Sequence, residues 1–325
     1  MELVCPAGTP AALRAAVDAG ADAVYLGFRD ETNARNFPGL NFDRRELAAG
    51  IEYARARSVK VLVALNTYPT AGRPEPWRRA ADDAAALGAY AVIVADMGLA
   101  RYVSRNHPDL RLHLSVQASA STVDAIRFYH EAFGVKRVVL PRVLTIRQIA
   151  AINKNAPCET EVFVFGGLCV MAEGRCALSS YATGQSPNMN GVCSPASHVS
   201  YVEREEALVS KLGDYTINSF APGEEAGYPT LCKGRFKVEG AASYIFEEPT
   251  SLDALLLLPE LAAAGVTALK LEGRQRGRAY VAQAVQTFRK AIDALSGRQA
   301  VSARSLSALA EGQRSTDGAY RKTWR

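Results

Sequence analysis

The sequence predicts an α/β fold, namely a TIM-type (β/α)8 barrel with a long cysteine-bearing insertion after the seventh strand. Short segments rich in β-branched residues alternate with longer segments of helical periodicity along most of the 325 residues, as in parallel βα units. Eight such units within roughly 300 residues suit this barrel. The alternative is an open doubly wound sheet. Its dinucleotide-binding form needs a glycine-rich first turn, and this chain has Gly8 alone there.

Predicted strands, each a short apolar run, alternate with predicted helices. The strands are Glu2–Cys5, Ala23–Gly27, Lys60–Leu65, Ala91–Ala95, Arg111–Val116, Arg137–Leu140, Glu161–Phe165 and Ala268–Leu271. Amphipathic segments between them are Pro10–Ala19, Arg44–Arg57, Trp77–Leu87, Ala125–Phe133 and Ile146–Asn153. A seventh helix ends at residues 262–265, and Val281–Leu295 forms the eighth. We expect residues 1–298 to form the barrel and residues 299–325 to form a C-terminal tail.

The composition excludes several classes of protein. Hydrophobic residues make up 48% and charged residues 22%, unlike disordered, collagenous or coiled-coil chains. Apolar runs such as Ala89–Ala95 are far shorter than the roughly 18 residues that span a bilayer. The first residues lack the basic start and apolar core of a signal peptide. These observations predict a cytoplasmic protein.

The charge pattern gives little indication of a nucleic-acid partner. The net charge is +5, from 38 basic and 33 acidic residues, and no long run carries one sign. A nucleic-acid footprint needs clustered positive charge. We therefore expect no nucleic acid among the partners.

One connection, residues 167–250, breaks the alternation of strands and helices. It is rich in Gly, Ser, Pro and Asn. An irregular stretch of roughly 80 residues inside a compact domain is usually functional. Because it follows the seventh strand, it should lie at the carboxyl face of the barrel, where barrel enzymes carry their active sites.

Four of the six cysteines fall in this insertion, with the spacing Cys169-x6-Cys176-x16-Cys193-x38-Cys232. Structural zinc sites usually use closely spaced C-x2–4-C pairs, which this set lacks. An iron–sulfur cluster needs four thiolates and tolerates wide spacing. The spacing alone leaves an iron–sulfur cluster, a zinc site and unliganded thiols open. Cys158 is expected at the opposite end of the barrel.

Residues at the carboxyl ends of the predicted strands should line the mouth of the barrel. They are Cys5, Asn66, Asp96, Gln117, Arg142, Glu272 and Arg274, together with Arg35 from the second βα loop. Salt bridges at the barrel mouth are the alternative role for the charged members. Asp96 equally fits the cap of a following helix, and Cys5 fits a buried structural thiol.

Residues Glu161–Ser179 carry a long motif. They match E-x-F-x-x-G-[SA]-[LIVM]-C-x4-G-x-C-x-[LIVM]-S, with Gly167 where Ser or Ala is usual. This segment resembles the signature of the U32 collagenase-like peptidase family. Further segments are similar to the branch of that family that acts in O2-independent ubiquinone biosynthesis. They are Glu2–Gly8, Thr32–Arg35, Ser115–Ala120, Val138–Leu144, Pro229–Arg235 and Leu271–Arg276.

The resemblance implies one [4Fe–4S] cluster on the four cysteines of the insertion. It also implies a heterodimer with a UbiV-like homologous subunit that hydroxylates prenylated phenol precursors of ubiquinone without O2. The implied hydroxyl donor is prephenate, and a lipid-carrier protein would deliver the substrate. The alternatives are RNA hydroxylation, as in other family members, and a non-catalytic electron relay or scaffold. Proteolysis is disfavoured, because the chain has neither G-x-S-x-G nor H-E-x-x-H.

A carboxylate-bearing donor assigns expected roles to the mouth residues. Arg142, Glu272 and Arg274 are the predicted catalytic residues, because arginines clamp carboxylates and Glu272 can orient an arginine or move a proton. The residues predicted to bind substrate are Arg35, Asn66 and Gln117. Arg175, Lys233 and Arg235, close to the cysteines, would offset the negative charge of four thiolates or remain solvated loop cations.

Overall fold

The computed structural model describes residues 1–188, 192–204, 206–297 and 306–322. Its main sheet contains eight parallel barrel strands. They are β1 (Glu2–Pro6), β2 (Ala23–Gly27), β3 (Lys60–Leu65), β4 (Ala91–Val94), β5 (Arg111–Leu114), β6 (Arg137–Val139), β7 (Glu159–Gly167) and β14 (Ala268–Leu271). The last strand pairs with both β1 and β7, so the sheet closes on itself. The predicted TIM-type barrel is confirmed.

Helices surround the barrel and also occur in the insertion. They are α1 (Pro10–Asp18), α2 (Arg44–Arg55), α3 (Glu75–Ala86), α4 (Met97–Asn106), α5 (Val123–Phe133), α6 (Ile146–Asn153), α7 (Leu178–Thr183), α8 (Leu258–Ala263) and α9 (Arg278–Ser296). Sequence inspection missed α4, in which Gly98 interrupts a short apolar stripe. Its start is set by Asp96, whose Oδ1 accepts a hydrogen bond from the Leu99 amide at 2.7 Å.

The inside of the barrel changes from charged to apolar along its axis. At the amino ends of the strands, Arg137 forms ion pairs with Glu2, Glu159 and Glu161. Lys270, also buried, pairs with Glu161 at 2.6 Å. An apolar layer lies among these strands, formed by Val4, Ala23, Tyr25, Leu62, Ala91, Ile93 and Ala268. Side chains therefore fill the interior of the barrel, and the loops at its carboxyl end carry the accessible chemistry.

The insertion after β7 contains regular structure that the sequence did not reveal. An antiparallel sheet holds β8 (Val199–Arg204), β9 (Ala207–Leu212) and β10 (Tyr215–Phe220), and a hairpin holds β11 (Arg235–Val238) and β12 (Ala241–Tyr244). Five of the six residues of β8 are exposed, whereas β9 and β10 bury Val209, Leu212, Ile217 and Phe220. Strand β13 (Ser251–Asp253) then returns antiparallel to the end of β7.

The C-terminal tail packs against the barrel and the insertion. Strand β15 (Ser315–Thr316) runs parallel to β13. The buried Tyr320 donates a hydrogen bond from its hydroxyl to the Phe163 carbonyl, and its own carbonyl accepts one from the Ile146 amide at 3.1 Å. The expected boundary at residue 298 lies outside the described residues. In the ranges given above, no helix is both long and apolar enough to cross a bilayer.

Candidate active site at the barrel mouth

The carboxyl ends of β7 and β14 meet closely at the mouth. Glu272 directly follows β14, and its amide donates a hydrogen bond to the Phe165 carbonyl at 2.8 Å. Its Oε2 accepts one from the Gly167 amide at 3.1 Å. Gly166 has φ +108°, and a Cβ there would lie 2.6 Å from the Glu272 carbonyl oxygen. The motif therefore needs glycine at 166 so that β7 can end against Glu272.

Arg142 lies buried where the chain leaves β6, and the protein holds it tightly. Its Nε donates a hydrogen bond to Oε1 of Glu173 at 2.6 Å, and its NH1 donates one to the Gly167 carbonyl. The guanidinium also lies 4.2 Å from the centre of the Phe163 ring. Burial opposes the charge of Arg142, but Glu173, Cys169 and Glu272 together outweigh it and keep the pKa of Arg142 above its usual value. Two faces of Arg142 are thus engaged within the protein.

Arg274 is the second buried arginine of the mouth and has a different environment. Its NH1 donates a hydrogen bond to Oδ1 of Asn33 at 2.6 Å, and its Cζ lies 5.4 Å from the centre of the Tyr25 ring. Among the residues that the structure covers, no carboxylate lies within salt-bridge distance of it. Burial, aided by repulsion from Arg35, lowers the pKa of Arg274 to about 10. A buried cation without a carboxylate partner is suited to an anionic ligand.

Glu272 is held as a carboxylate between these arginines. Burial alone would raise its pKa, but the Arg35 guanidinium, the Gly167 amide and Arg142 together lower it. Glu272 is therefore ionised at neutral pH and able to accept a proton. Four predicted site residues, Arg35, Arg142, Glu272 and Arg274, thus influence one another across the same mouth.

The other residues predicted to line the mouth lie in different environments, and not all of them face the mouth. Asn66 accepts a hydrogen bond at Oδ1 from the Ala34 amide at 3.1 Å, so it supports the loop that carries Arg35. Gln117 accepts one at its carbonyl from the Tyr68 hydroxyl at 2.7 Å, and its Oε1 is buried without a partner among the described atoms. Asp96 caps α4. Cys5 is fully buried in the layer between sheet and helices, outside the mouth.

The four cysteines of the insertion all carry free thiols. Cys169 and Cys176 lie in the loop between β7 and α7, Cys193 lies in a later loop, and Cys232 lies in the short helical turn of residues 231–233. Burial, the Glu173 carboxylate and, to a smaller extent, the charge of Cys232 raise the pKa of Cys169 to about 12. Burial likewise raises the pKa of Cys232 to about 11, with contributions from Cys193 and Cys176. Cys232 is thus electrostatically coupled to each of the other three sulfur atoms. The structure gathers the thiols in one region beside the mouth.

We tested whether this donor set fits a metal centre. No three His, Cys, Asp or Glu side chains in the described part of the chain are grouped so that they hold one metal ion. Four thiols gathered in one region still match an iron–sulfur cluster in kind, because its several irons separate their ligands more widely than one zinc ion does. Positive charge is also present, since Lys233 lowers the pKa of Cys232. The residues fit a cluster by the chemical type of their donor atoms.

The three loop cations predicted to lie near the cysteines differ in their surroundings. Lys233 is buried, whereas Arg175 is exposed. Arg235 donates a hydrogen bond to Oε1 of Glu224 near the surface. Two further residues that structure the mouth, Asn33 and Glu173, were not selected from the sequence. Both residues lie inside the motif segments quoted above. Their being polar residues within a motif was the only sequence feature that could have identified them.

Comparison with known sequences decides the family. Residues 8–321 match the profile of the Peptidase family U32. The chain belongs to this family. It is 33% identical over 314 residues to "tRNA hydroxylation protein P" of Escherichia coli, covering 90% of this chain and 68% of that protein. It is 29% identical over 314 residues to the "23S rRNA 5-hydroxycytidine C2501 synthase" of the same organism, covering 96% and 42%.

A further U32 relative has a proteolytic name. The chain is 29% identical over 304 residues to a "Collagenase" of Porphyromonas gingivalis, covering 90% of this chain and 66% of that protein. The chain thus spans about two thirds, or less, of the length of these three relatives. The expectation of no nucleic-acid partner is wrong, because two of them are named for the hydroxylation of tRNA and rRNA. Those names mention neither ubiquinone nor a UbiV-like subunit.

Proposed function

We propose that this chain is an iron–sulfur hydroxylase of the U32 family that modifies a nucleobase of RNA without O2. The observation that carries the proposal is the gathering of four free thiols beside a barrel mouth with a buried, carboxylate-free arginine. The names of the tRNA and rRNA hydroxylation relatives support the choice of RNA. A peptidase would need an activated nucleophile, and a thiolate bound to iron is not free to attack a peptide.

Cys169, Cys176, Cys193 and Cys232 would hold a [4Fe–4S] cluster. Such a cluster would pass electrons one at a time between the ring, which loses two electrons as its C–OH bond forms, and the oxygen donor, which gains them as its own C–O bond breaks. Around it, the chain provides positive charge from Lys233 and a loop held by the Arg142–Glu173 pair. The ammonium of Lys233 would limit the negative charge of the site.

The oxygen donor is proposed to carry at least one carboxylate. Arg274 lacks a carboxylate partner within the ranges that the structure covers, and Arg35 lies near enough to lower its pKa. Arg142 already uses Nε and NH1 inside the protein, so its role is to position the Cys169 loop more than to clamp the donor. Glu272, whose carboxylate is ionised, would receive the proton that leaves the ring. Prephenate, with two carboxylates, is a donor of this class.

A second substrate, the phenol ring of a ubiquinone precursor, is favoured by one specific observation. The segments that resemble the ubiquinone branch also supply the mouth. Asn33 and Arg35 come from one of them, Arg142 from another, and Glu272 and Arg274 from a third. The two candidates share the same cluster and donor chemistry and differ only in the ring that is hydroxylated.

One experiment tests both candidates. Protein purified under anaerobic conditions is analysed for iron and sulfide, then incubated with prephenate and either unmodified RNA or a prenylated phenol. We expect about four irons per chain and the gain of one oxygen on an RNA base, detected by mass spectrometry. Oxygen gain on the phenol alone would transfer the proposal to the second substrate. Iron-loaded protein that modifies neither would indicate an electron relay or scaffold, and iron-free protein would refute the cluster.

RNA binding itself has a separate signature. Contacts to phosphates release counterions, so RNA affinity should fall steeply as salt rises. Binding that is absent at low salt would argue against RNA, irrespective of the cluster.

A further inference from the structure

The C-terminal tail reaches the loop of the fourth cysteine through a buried ion pair. Lys233 follows Cys232 within a single helical turn, residues 231–233, and its side chain is only 5% exposed. Its Nζ donates hydrogen bonds to Oε2 of Glu311 at 2.8 Å and to the Thr250 carbonyl at 3.0 Å. Glu311 belongs to the tail, 78 residues further along the chain.

Glu311 is itself held in place by the end of the insertion. Its amide donates a hydrogen bond to the Ser251 hydroxyl at 2.8 Å, and Ser251 begins β13. Strand β13 pairs with Gly166 and Gly167 at the end of β7, two residues before Cys169. A continuous path of contacts therefore runs from Cys232 through Lys233, Glu311 and β13 to the loop of Cys169.

The turn that carries Cys232 has one further support. Asn218 on β10 is buried and donates from Nδ2 to the Lys233 carbonyl at 3.3 Å, while its Oδ1 accepts from the Arg235 amide at 3.0 Å. The backbone of the turn thus forms hydrogen bonds with the insertion, and the Lys233 side chain forms an ion pair with the tail. The position of the Cys232 sulfur thus depends on contacts from both directions.

We infer that Lys233 and Glu311 are positioning residues for the proposed cluster, and that the tail fastens the Cys232 ligand to the barrel mouth. The inference rests on the proposed iron–sulfur function but not on the identity of the substrate. The pair performs two tasks. It holds the turn of Cys232 in place. It also places a positive charge, that of Lys233, beside the thiolates and balances it with the carboxylate of Glu311.

Replacing the two residues should therefore shift the reduction potential of the cluster in opposite directions. In Lys233→Met the positive charge next to the cluster is lost, so the reduced and more negative cluster is disfavoured and the reduction potential falls. In Glu311→Gln the ammonium loses its counter-charge, so the reduction potential rises. Both variants loosen the turn, and outer contacts of metal ligands typically contribute 10–100-fold to metal retention. A merely structural pair would not separate the two potentials.

The test uses the full chain, purified and loaded with iron under anaerobic conditions. Redox titration followed by electron paramagnetic resonance measures the potential, and loss of visible absorbance in a chelator measures iron release. We expect shifts of opposite sign for Lys233→Met and Glu311→Gln, with iron release about 10-fold faster in each. Glu247→Gln is the matched control, because Glu247 pairs with Lys322 of the tail at 2.9 Å, a lysine that is 58% exposed.

The outcomes separate this inference from the proposed function. Wild-type protein without iron overturns both. Iron-loaded variants that match the wild type and Glu247→Gln in potential and iron release overturn the positioning role alone, as do shifts of the same sign. If either single variant does not fold, Lys233→Met with Glu311→Leu removes both charges together. Its potential should then lie close to that of the wild type, with fast iron release, and slow release would count against the inference.

Discussion

Arg142 and Glu173 form a buried ion pair, with 2.6 Å between Nε and Oε1, that links the end of β6 to the loop between Cys169 and Cys176. Both side chains are largely shielded from solvent, and Oε2 of Glu173 has no other partner in the described residues. Breaking such a pair leaves a charge buried without compensation. The pair therefore makes the first two cysteines depend on the barrel below them.

Arg142→Met should destabilise the protein by about 3–5 kcal/mol, because the Glu173 carboxylate would remain buried and unpaired. Urea unfolding measures the change. Arg127→Met is the control, since Arg127 and Asp124 form an exposed pair at 3.3 Å worth less than about 1 kcal/mol. Adding Glu173→Leu to Arg142→Met should recover part of the loss. Equal stability of Arg142→Met and Arg127→Met would contradict the importance of the pair.

Gly174→Ala should disrupt the cysteine loop, since Gly174 has φ +81° and a Cβ there would overlap the Gln117 carbonyl oxygen. Gly184 is the matched control, with φ +69° and nothing within 4 Å of a Cβ. Gly184→Ala should cost only about 1 kcal/mol, the price of a left-handed conformation. Thermal unfolding and iron content should both fall further in Gly174→Ala. Similar losses in the two variants would show that backbone conformation alone is responsible.

The four cysteines of the insertion should be equivalent in cluster binding. Replacing Cys169, Cys176, Cys193 or Cys232 by Ser should abolish iron binding, because each supplies one thiolate ligand. Cys158→Ser should retain it, since Cys158 directly precedes β7 at the opposite end of the barrel. Iron and sulfide analysis of anaerobically purified protein decides this. Full iron content in any of the four insertion variants would exclude that cysteine as a ligand.

The stability of the protein should fall as the pH drops below about 6.5 because of His113. Burial, with repulsion from Arg137 and Arg111, lowers the pKa of His113 well below that value. The imidazole stays neutral in the fold, while the unfolded chain takes up a proton. The free energy of unfolding should therefore decrease by up to about 1.4 kcal/mol per pH unit as acid is added.

In His113→Gln, the free energy of unfolding, measured with urea, should no longer decrease between about pH 6.5 and 5. The glutamine amide oxygen can still accept the hydrogen bond that Arg111 donates to Nε2 at 3.0 Å. His198→Gln, in the insertion, serves as the control and should keep the decrease. The carboxylates Glu2 and Glu159, whose pKa values are lowered by Arg137, contribute only at lower pH. If the free energy of unfolding of His113→Gln fell with pH as steeply as that of the wild type, other groups would be responsible for the pH dependence.

Strands buried on both faces and one amphipathic helix with a clear cap were predicted closely from the sequence. Strands β2, β3 and β14 and helix α6 begin and end at the predicted residues. Continuous apolar runs mark such strands, and Thr145 caps α6 by accepting a hydrogen bond from the Gln148 amide. In the insertion, β8 was missed because it is exposed along most of its length. Strands β9 and β10 were missed because their buried residues include the polar Ser210 and Asn218, which interrupt the apolar pattern.

The candidate site was predicted in part. The signature motif and the cysteine spacing identified the thiols, and the carboxyl ends of the strands identified Arg142, Glu272 and Arg274. The partners of these residues were not predictable. Arg142 meets Glu173 31 residues away, Lys233 meets Glu311 78 residues away, and Arg274 meets Asn33 241 residues away.

The amino-acid sequence by itself determined the alternation of strands and helices, because apolar periodicity and helix caps act between residues a few positions apart. It also determined the family, through a motif of fixed spacing. Only the tertiary structure decided which charges face one another and which arginine remains without a carboxylate. Those pairings depend on how distant segments meet when the barrel closes, and local residue preferences carry no information about that geometry.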